Sequence, residues 1–216
     1  MPNWCFTHIT FYSQNEATVK DFHEKILHYT SISANGQTDP YWLGNLLLHA
    51  DLGTYDEIIN DKFGYCRGWM NIIGDDVEYS NGCYHFYITV QDAWAPHTEP
   101  FYHLLGKLYD HEVNMAFVAD EPGCELFLKY DPTNLFYSEC EYVVDSYFPE
   151  AECEEKYYEI ADMNGPQTFD VLCQAFKLNS WKAIAAKAEE ITDEMQDKYG
   201  DGYYYINEYE LMDNPF

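Results

Sequence analysis

The stretch that decides the fold runs from Trp4 to Tyr29 and reads WCFTHITFYSQNEATVKDFHEKILHY. Over residues 4–12, large apolar and polar side chains alternate as they do in a half-buried β-strand. An apolar stripe at helical spacing follows, made of Val19, Phe22, Ile26 and Tyr29. Ser13 stands three positions before Glu16, which is the spacing of a helix capping box. This stretch therefore predicts a strand that leads directly into an amphipathic helix.

The same signals return further along the chain. Strands are predicted at 65–73, 83–91, 113–119 and 124–130, and a helix is predicted from Thr98 to about residue 108. Polar turn residues separate the first two of these strands, which predicts a hairpin. The resulting order is the split βαβ pattern. The sequence thus predicts an α+β protein with a ferredoxin-like antiparallel sheet and helices on one face.

The character of the sequence changes after about residue 137. Residues 1–137 are predicted to form the ferredoxin-like domain, with an irregular insertion at about 30–64. Residues 138–216 are predicted to form an acidic, mostly helical C-terminal subdomain. Its helices are expected at 151–163, at about 168–178 and, capped by Ser180, at 181–199. The last helix carries a single apolar seam, formed by Trp181, Ile184, Ala188, Ile191 and Met195.

The net charge limits the partners of this protein. The chain carries 38 acidic residues against 11 lysines and arginines, for a formal charge of -27, while 47% of its residues are hydrophobic. A globular protein with an acidic shell is expected, since the apolar content suffices for a core. Direct nucleic-acid binding and binding to an anionic membrane are disfavoured, because phosphate would be repelled. A basic protein is the natural partner.

No catalytic motif, metal motif or cofactor motif stands out. The seven cysteines contain no Cys-x-x-Cys pair, and the eight histidines contain no HExxH pattern. Residues 197–208 match an EF-hand loop only in part, because Tyr199 occupies a ligand position. A non-enzymatic protein without a cofactor or metal is expected. With no secretory or membrane-spanning segment in the sequence, the expected location is the cytoplasm of a host cell.

Three short segments carry a family resemblance. In sequence order they are Met1-Pro2-Asn3-Trp4-Cys5, Asp92-Ala93-Trp94-Ala95-Pro96 and Glu121-Pro122-Gly123. Together they resemble a largely uncharacterised family of phages and plasmids whose members begin Met-Pro-Asn-Trp-Cys. The resemblance covers about residues 1–130 and implies a ferredoxin-like domain and a mobile-element origin, but no reaction. The chain departs from the family at 65–69, where a Trp-Gly-x-Lys-Trp-like strand is expected.

The candidate binding residues lie beyond that resemblance. Acidic side chains four apart on a helix rise in steps of about 6 Å, so they can imitate the regular charge of a phosphate backbone. A solvated helix face is the alternative explanation. Tyrosines among these acids offer contact area for an interface. The residues predicted to contact a partner are Glu150, Glu152, Glu154, Glu155, Tyr157, Tyr158, Glu159, Asp162, Glu189, Glu190, Asp193, Glu194, Asp197 and Tyr204.

The leading functional hypothesis is an inhibitor of anti-CRISPR or anti-restriction type from a mobile element. Its carboxylates would act as a DNA mimic and block the basic channel of a host nuclease, so the partner is a basic nucleic-acid-binding protein of the host. The alternative is an interaction or regulatory module whose sheet binds another protein, with acidity serving only solubility. An enzyme with a metal or nucleotide site ranks third.

Overall fold

A computed structural model describes residues 3–60 and 66–213, apart from the side chains of Cys124 and Glu152. It has an α+β architecture. The chain divides into two compact units, the first formed by Met1–Tyr137 with Leu211–Phe216 and the second by Ser138–Glu210. The sequence predicted a boundary at residue 137 but assigned the last six residues to the second unit.

The helices and strands are as follows. The helices are α1 (Glu16–Tyr29), α2 (Leu43–His49), α3 (Tyr55–Ile59), α4 (Glu99–Tyr109), α5 (Ala151–Lys156), α6 (Tyr158–Ala161), α7 (Phe169–Phe176) and α8 (Trp181–Tyr199). The strands are β1 (Trp4–Ser13), β2 (Gly68–Ile73), β3 (Glu78–Ser80), β4 (Cys83–Ala93), β5 (Asn114–Glu121), β6 (Leu126–Tyr130), β7 (Tyr142–Tyr147), β8 (Gly165–Gln167), β9 (Tyr203–Glu208) and β10 (Glu210–Leu211). A short 3-10 helix, Pro122–Cys124, joins β5 to β6.

β1 lies inside the sheet of the first unit, whose strand order is β10-β6-β5-β1-β4-β2. It pairs antiparallel with β4 and with β5, while β3 pairs only with β4. The Phe11 ring lies 5.0 Å from that of Phe22 on α1 and 5.5 Å from that of Phe101 on α4. Both helices therefore pack on the same face of β1, where burial of these rings stabilises the first core.

The first helix begins later than predicted. Its N-cap is Asn15, whose side-chain oxygen accepts a hydrogen bond from the Ala17 amide at 3.1 Å. Ser13 instead ends β1, where it pairs with Tyr84. The capping-box prediction at Ser13 is thus wrong, because the strand continues through that residue and leaves Asn15 to cap the helix.

The segment from residue 30 to 60 is more regular than predicted. It contains α2 and α3 in place of an irregular insertion. Thr54 and Glu57 form the capping box of α3, in which the Glu57 carboxylate accepts a hydrogen bond of 2.8 Å from the Thr54 amide. Leu46 and Leu47 on α2 are buried in the first core, which stabilises a helix too short to persist alone. Residues 61–64 and Tyr65, predicted to complete the insertion and begin a strand, lie outside the described residues.

The second unit contains a sheet in addition to its helices. The strand order is β8-β7-β9, with β7 antiparallel to both neighbours. The prediction for α8 is confirmed, since the Ser180 side chain accepts a hydrogen bond from the Ala183 amide and the apolar seam is buried except for Trp181, which is half-buried. The prediction of a single helix over 151–163 is wrong, because the helix is interrupted at Tyr157, between α5 and α6. The strand β9 was not predicted.

The segments that carry the family resemblance meet at one end of the first sheet. Cys5 pairs with Asp92, and Gly68 pairs with Asp92 from the other side. A β-carbon on Gly68 would stand 1.9 Å from a carboxylate oxygen of Asp92, so this position requires glycine. On the segment 121–123, a β-carbon on Gly123 would lie 2.9 Å from the Asn3 side chain. Residues distant in sequence are thus packed closely at this end of the sheet.

Asp92 is the buried charge of this sheet end, with 1% of its surface exposed. Its Oδ2 accepts hydrogen bonds from the Thr7 hydroxyl at 3.3 Å and from the His97 amide at 3.2 Å. Its Oδ1 lies 3.3 Å from Nδ1 of His97. Burial raises the pKa of the Asp92 carboxyl. Burial of the Cys5 thiol, together with the nearby negative charge of Asp92, raises the pKa of that thiol to about 12.

We predict that Asp92 makes the stability of the first unit pH-dependent. A carboxyl whose pKa is raised on folding stabilises most below its unfolded pKa, near 3.8, and this contribution is lost as the pH rises through the folded pKa. The free energy of unfolding of wild type minus that of Asp92→Asn should therefore fall as the pH rises above about 4. Urea unfolding between about pH 4 and pH 8, followed by tryptophan fluorescence, measures this difference.

The exposed Asp75 provides the matched control, since Asp75→Asn removes an equal charge from the same unit. A difference between wild type and Asp92→Asn that stays constant across this pH range would contradict the prediction. The fluorescence reports mainly on the first unit, because four of the five tryptophans, all except Trp181, belong to it.

Candidate functional site

Helix α8 presents a row of carboxylates to solvent. Glu189, Asp193 and Asp197 are exposed and four residues apart, so they lie on one helix face over about 12 Å. Within the described part of the chain, none of the three forms an ion pair. The row is stable on this helix because the opposite face is held in the core by Ile191 and Met195. Its charge is therefore available to a partner.

Three of the other predicted acidic residues are already neutralised by lysines. Lys187 contacts Glu190 at 2.8 Å, Lys177 contacts Glu159 at 2.6 Å, and Lys156 contacts Glu194. The Tyr157 hydroxyl donates a second hydrogen bond to Glu194 at 2.7 Å. Hydrogen bonds from Lys156 and Tyr157 lower the pKa of the Glu194 carboxyl. The predicted acidic set thus separates into paired and unpaired carboxylates.

The remaining predicted acids lie on or beside α5 and α6. Glu150, Glu154, Glu155 and Asp162 are exposed and form no ion pair among the described residues. The side chain of Glu152 lies outside the described part of the structure. With the row on α8, these residues make the second unit strongly anionic, since residues 138–210 carry 18 acids against 5 lysines.

The three predicted contact tyrosines have different environments. Tyr158 is 70% exposed, and Tyr157 is half-buried beside Phe148. Tyr204 is only 1% exposed, and its hydroxyl donates to the Ile160 carbonyl at 3.2 Å. The prediction that Tyr204 contacts a partner is wrong in this structure, because β9 turns its ring into the core against Phe176. Tyr158 remains as the surface anchor.

A small cavity lies beside the paired carboxylates of the second unit. Its volume is about 180 Å³, and α6, α7 and α8 supply most of its walls. The residues that line it are Lys156, Tyr157, Tyr158, Glu159, Ile160, Ala175, Phe176, Lys187 and Ile191. Tyr157, Tyr158 and Glu159 were predicted from sequence. Phe176 and the lysines were missed, since nothing in their local sequence places them beside one another.

Sequence reasoning also missed an exposed apolar surface on the first unit. Phe6, Ile72 and Tyr87 are 49%, 54% and 41% exposed on neighbouring strands. Part of the same sheet face is covered, because the Tyr137 hydroxyl lies 2.7 Å from Nδ1 of His8. We call Phe6, Ile72 and Tyr87 the apolar sheet face. The signal for it was present in β1, where both alternating sets of positions carry large side chains.

Trp94 adds a strained aromatic side chain at one end of the same sheet. It is 50% exposed and has a φ of 75°, which is unfavourable for a bulky residue. A hydrogen bond from its amide to the Asn3 carbonyl, 2.9 Å long, holds this conformation. The exposed Trp4 on β1 pairs with Ala93 on β4, which is the residue directly before Trp94. Strain of this kind often marks a functional position.

Among residues 3–60 and 66–213, no group of three or more His, Cys, Asp or Glu residues is arranged to bind a metal ion. The partial EF-hand match does not form one loop, because Tyr203–Glu208 is strand β9 and pairs with β7. In the same described part of the chain, none of the helices combines the length and the apolar character needed to cross a membrane.

Comparison of the chain with protein-family models, with curated proteins and with solved structures found no significant match. The resemblance to the phage and plasmid family therefore stays a prediction carried by its three short segments.

We predict that Tyr204 acts through stability. Removing the ring in Tyr204→Ala should lower the free energy of unfolding of the second unit by about 3–5 kcal/mol, because the change leaves a cavity in its core. The neighbouring Tyr205 is 49% exposed, so Tyr205→Ala should change the same quantity by less than about 1 kcal/mol. Urea unfolding followed by circular dichroism measures both, and equal losses would contradict the assignment of Tyr204 to the core.

Proposed function

We propose that this protein is a non-enzymatic inhibitor from a mobile element that acts in the host cytoplasm. Its acidic surface mimics nucleic acid and occupies the basic channel of a host defence nuclease, either a CRISPR effector or a restriction enzyme. The partner is thus a basic nucleic-acid-binding protein. The surface belongs to an acidic C-terminal unit, which is attached to a ferredoxin-like domain.

The observation that carries this proposal is the unpaired row Glu189, Asp193 and Asp197. Carboxylates in a net-neutral surface are usually compensated by nearby cations, but here the five lysines of residues 138–216 are too few. Three of them pair with other acids at the cavity. Asp197, the last residue of the row, also stands in the last turn of α8, where the helix dipole disfavours negative charge by about 0.3–1 kcal/mol. Uncompensated charge in an unfavourable position is better explained by binding than by folding.

The proposed mechanism is electrostatic competition. Steps of about 6 Å along the row repeat negative charge at intervals that a phosphate-binding channel can accept. Lysines and arginines of the nuclease would pair with these carboxylates and would no longer bind DNA. The anionic field of the whole unit speeds encounter with a basic channel, and salt weakens this attraction.

The ferredoxin-like assignment of the first unit is supported by its topology. Leaving aside β3, β6 and β10, the remaining strands stand in the order β5-β1-β4-β2, with antiparallel pairing throughout. Helices α1 and α4 follow β1 and β4 along the chain and pack on one face. This arrangement corresponds to the split βαβ pattern.

An inhibition assay tests the proposed function. DNA cleavage by a panel of purified CRISPR effectors and restriction endonucleases is measured with and without this protein. We predict inhibition of at least one nuclease, and about tenfold weaker inhibition by the triple variant Glu189→Gln/Asp193→Asn/Asp197→Asn. Three interfacial ion pairs of about 0.5 kcal/mol each account for that factor. Inhibition should also weaken as the salt concentration rises.

The hairpin acids Asp75, Asp76 and Glu78 supply the matched control. All three are exposed and belong to the first unit, so neutralising them changes the net charge by the same amount. This control variant should inhibit like wild type. Equal weakening by both triple variants would show that only net charge matters, and failure to inhibit any nuclease would reject the proposal for that panel.

The apolar sheet face favours a second candidate function, an interaction module in which the first unit binds another protein. Large apolar side chains are exposed here on adjacent strands, and exposed apolar surface of this kind marks protein interaction sites. In this case binding would depend on Phe6 and Tyr87, and the acidic row would serve only solubility.

We predict opposite effects of two variants if this second function is correct. Phe6→Ser/Tyr87→Ser should lose at least tenfold in affinity for a partner captured from host extract, because it removes two exposed aromatic contacts. The triple variant of the α8 row should bind that partner like wild type. Surface plasmon resonance with the purified partner measures both, and the reverse outcome would favour the inhibitor.

A further inference from the structure

The cavity of the second unit is small enough to identify the size of its occupant. Its volume of about 180 Å³ is well below the roughly 300–1,000 Å³ of sites for cofactors and drug-sized ligands. One large side chain of another protein is an occupant of suitable size. A nucleotide or an extended peptide is too large to be enclosed.

Apolar residues of the core form one part of the cavity wall. Ile160 and Ile191 are 6% and 1% exposed and belong to the core of the unit, against which Phe176 also packs. The Tyr158 ring, which is 70% exposed, stands at the opening. Its hydroxyl donates to a Glu159 carboxylate oxygen at 3.3 Å, which holds the ring beside the cavity. Placing an apolar or aromatic group in the cavity would cost little free energy, because few polar atoms of the cavity wall would be left without hydrogen-bond partners.

Lysine–glutamate pairs surround this apolar interior. Lys156 and Lys187 line the cavity and pair with Glu194 and Glu190, which stand on α8. Glu159, which also lines the cavity, pairs with Lys177. Lysines that are scarce in the rest of this unit are thus concentrated at one place.

The charges of these pairs select the class of occupant. An entering lysine or arginine would lose its hydration, and the carboxylate that lines the cavity, Glu159, is already paired with Lys177. An anion would gain little from Lys156 and Lys187, because glutamates already neutralise both, and the net charge of the unit would repel it. A neutral aromatic ring meets neither objection. Its π face can also interact with the adjacent ammonium groups, as the Tyr157 ring does with Lys156 Nζ at 4.8 Å from the centroid.

We infer that this cavity binds one aromatic side chain, a Trp, Tyr or Phe, of a basic protein partner. The basic character of the partner rests on the proposed function and follows from the unpaired carboxylates of the same unit, which include Glu155 and Glu189. Charged contacts would then surround a desolvated aromatic anchor, which is the usual organisation of a binding hot spot.

A direct binding experiment tests the cavity without any knowledge of the partner. The probes are N-acetyl-tryptophanamide and N-acetyl-phenylalaninamide, with N-acetyl-argininamide as the cationic comparison. NMR spectra of methyl-labelled full-length protein report on Ile160, Ala175 and Ile191. Millimolar aromatic amides should shift these methyl signals, and the arginine amide should not. Absence of shifts with the aromatic amides, or equal shifts with all three probes, would overturn the inference.

Cavity-filling variants locate the binding. Ala175→Phe places a ring in the cavity and should abolish the shifts at Ile160 and Ile191. Ala186→Phe is the matched control, because Ala186 is exposed on α8 and does not line the cavity. If Ala175→Phe does not fold, Tyr158→Ala provides a second variant, because the exposed ring of Tyr158 can be removed without opening the core. Shifts that persist in Tyr158→Ala and in a folded Ala175→Phe would also overturn the inference.

The same variants separate this inference from the proposed function. In the nuclease assay, Ala175→Phe should weaken inhibition at least tenfold while the dependence on salt stays unchanged. The triple variant of the α8 row should reduce the dependence on salt. Inhibition that survives Ala175→Phe would overturn the role of the cavity but leave the proposed function standing. Amide binding in a protein that inhibits no nuclease would reject the proposed function but leave the aromatic site standing.

Discussion

Hydration of the acidic side chains is the constraint on which the structure of this protein depends. A carboxylate transferred into a protein interior without a partner loses several kcal/mol, so nearly all 38 acids must stay at the surface. Two separate cores are therefore built almost entirely from apolar and aromatic residues. In the first, Phe11 contacts the rings of Phe22 and Phe101. In the second, Tyr204 fills the space between β9 and the helices, with its hydroxyl bonded to a backbone carbonyl.

The exceptions to this constraint are informative. Asp92 is buried, where the Thr7 hydroxyl and the His97 amide partly replace its hydration. Glu121 is also buried, with one carboxylate oxygen that has no hydrogen-bond partner among the described groups. Both residues belong to the segments that carry the family resemblance. The opposite solution occurs in the second unit, where lysines neutralise some carboxylates around a cavity and leave the row on α8 unpaired.

How far sequence patterns predicted these features depends on their range. The helix α8 was predicted with its cap and its buried seam, because a cap and a helical repeat are local properties. Strand β9 was missed because its tyrosines and acids resemble an exposed polar segment. The position of β9 depends on Thr192 of α8, whose hydroxyl accepts a hydrogen bond of 2.9 Å from the Tyr204 amide. The helices α2 and α3 were missed although the capping residues of α3, Thr54 and Glu57, are visible in the sequence.

By itself, the sequence determined that this is an acidic α+β protein with a strand-to-helix opening and with -14 of its net charge of -27 in residues 138–216. These properties depend on composition and on short-range periodicity. Only the tertiary structure decided which carboxylates are unpaired, that Tyr158 is exposed while Tyr204 is buried, and that Lys156 and Lys187 border one cavity. The physical reason is that ion pairing and burial depend on residues that are distant along the chain and become neighbours only when the units fold.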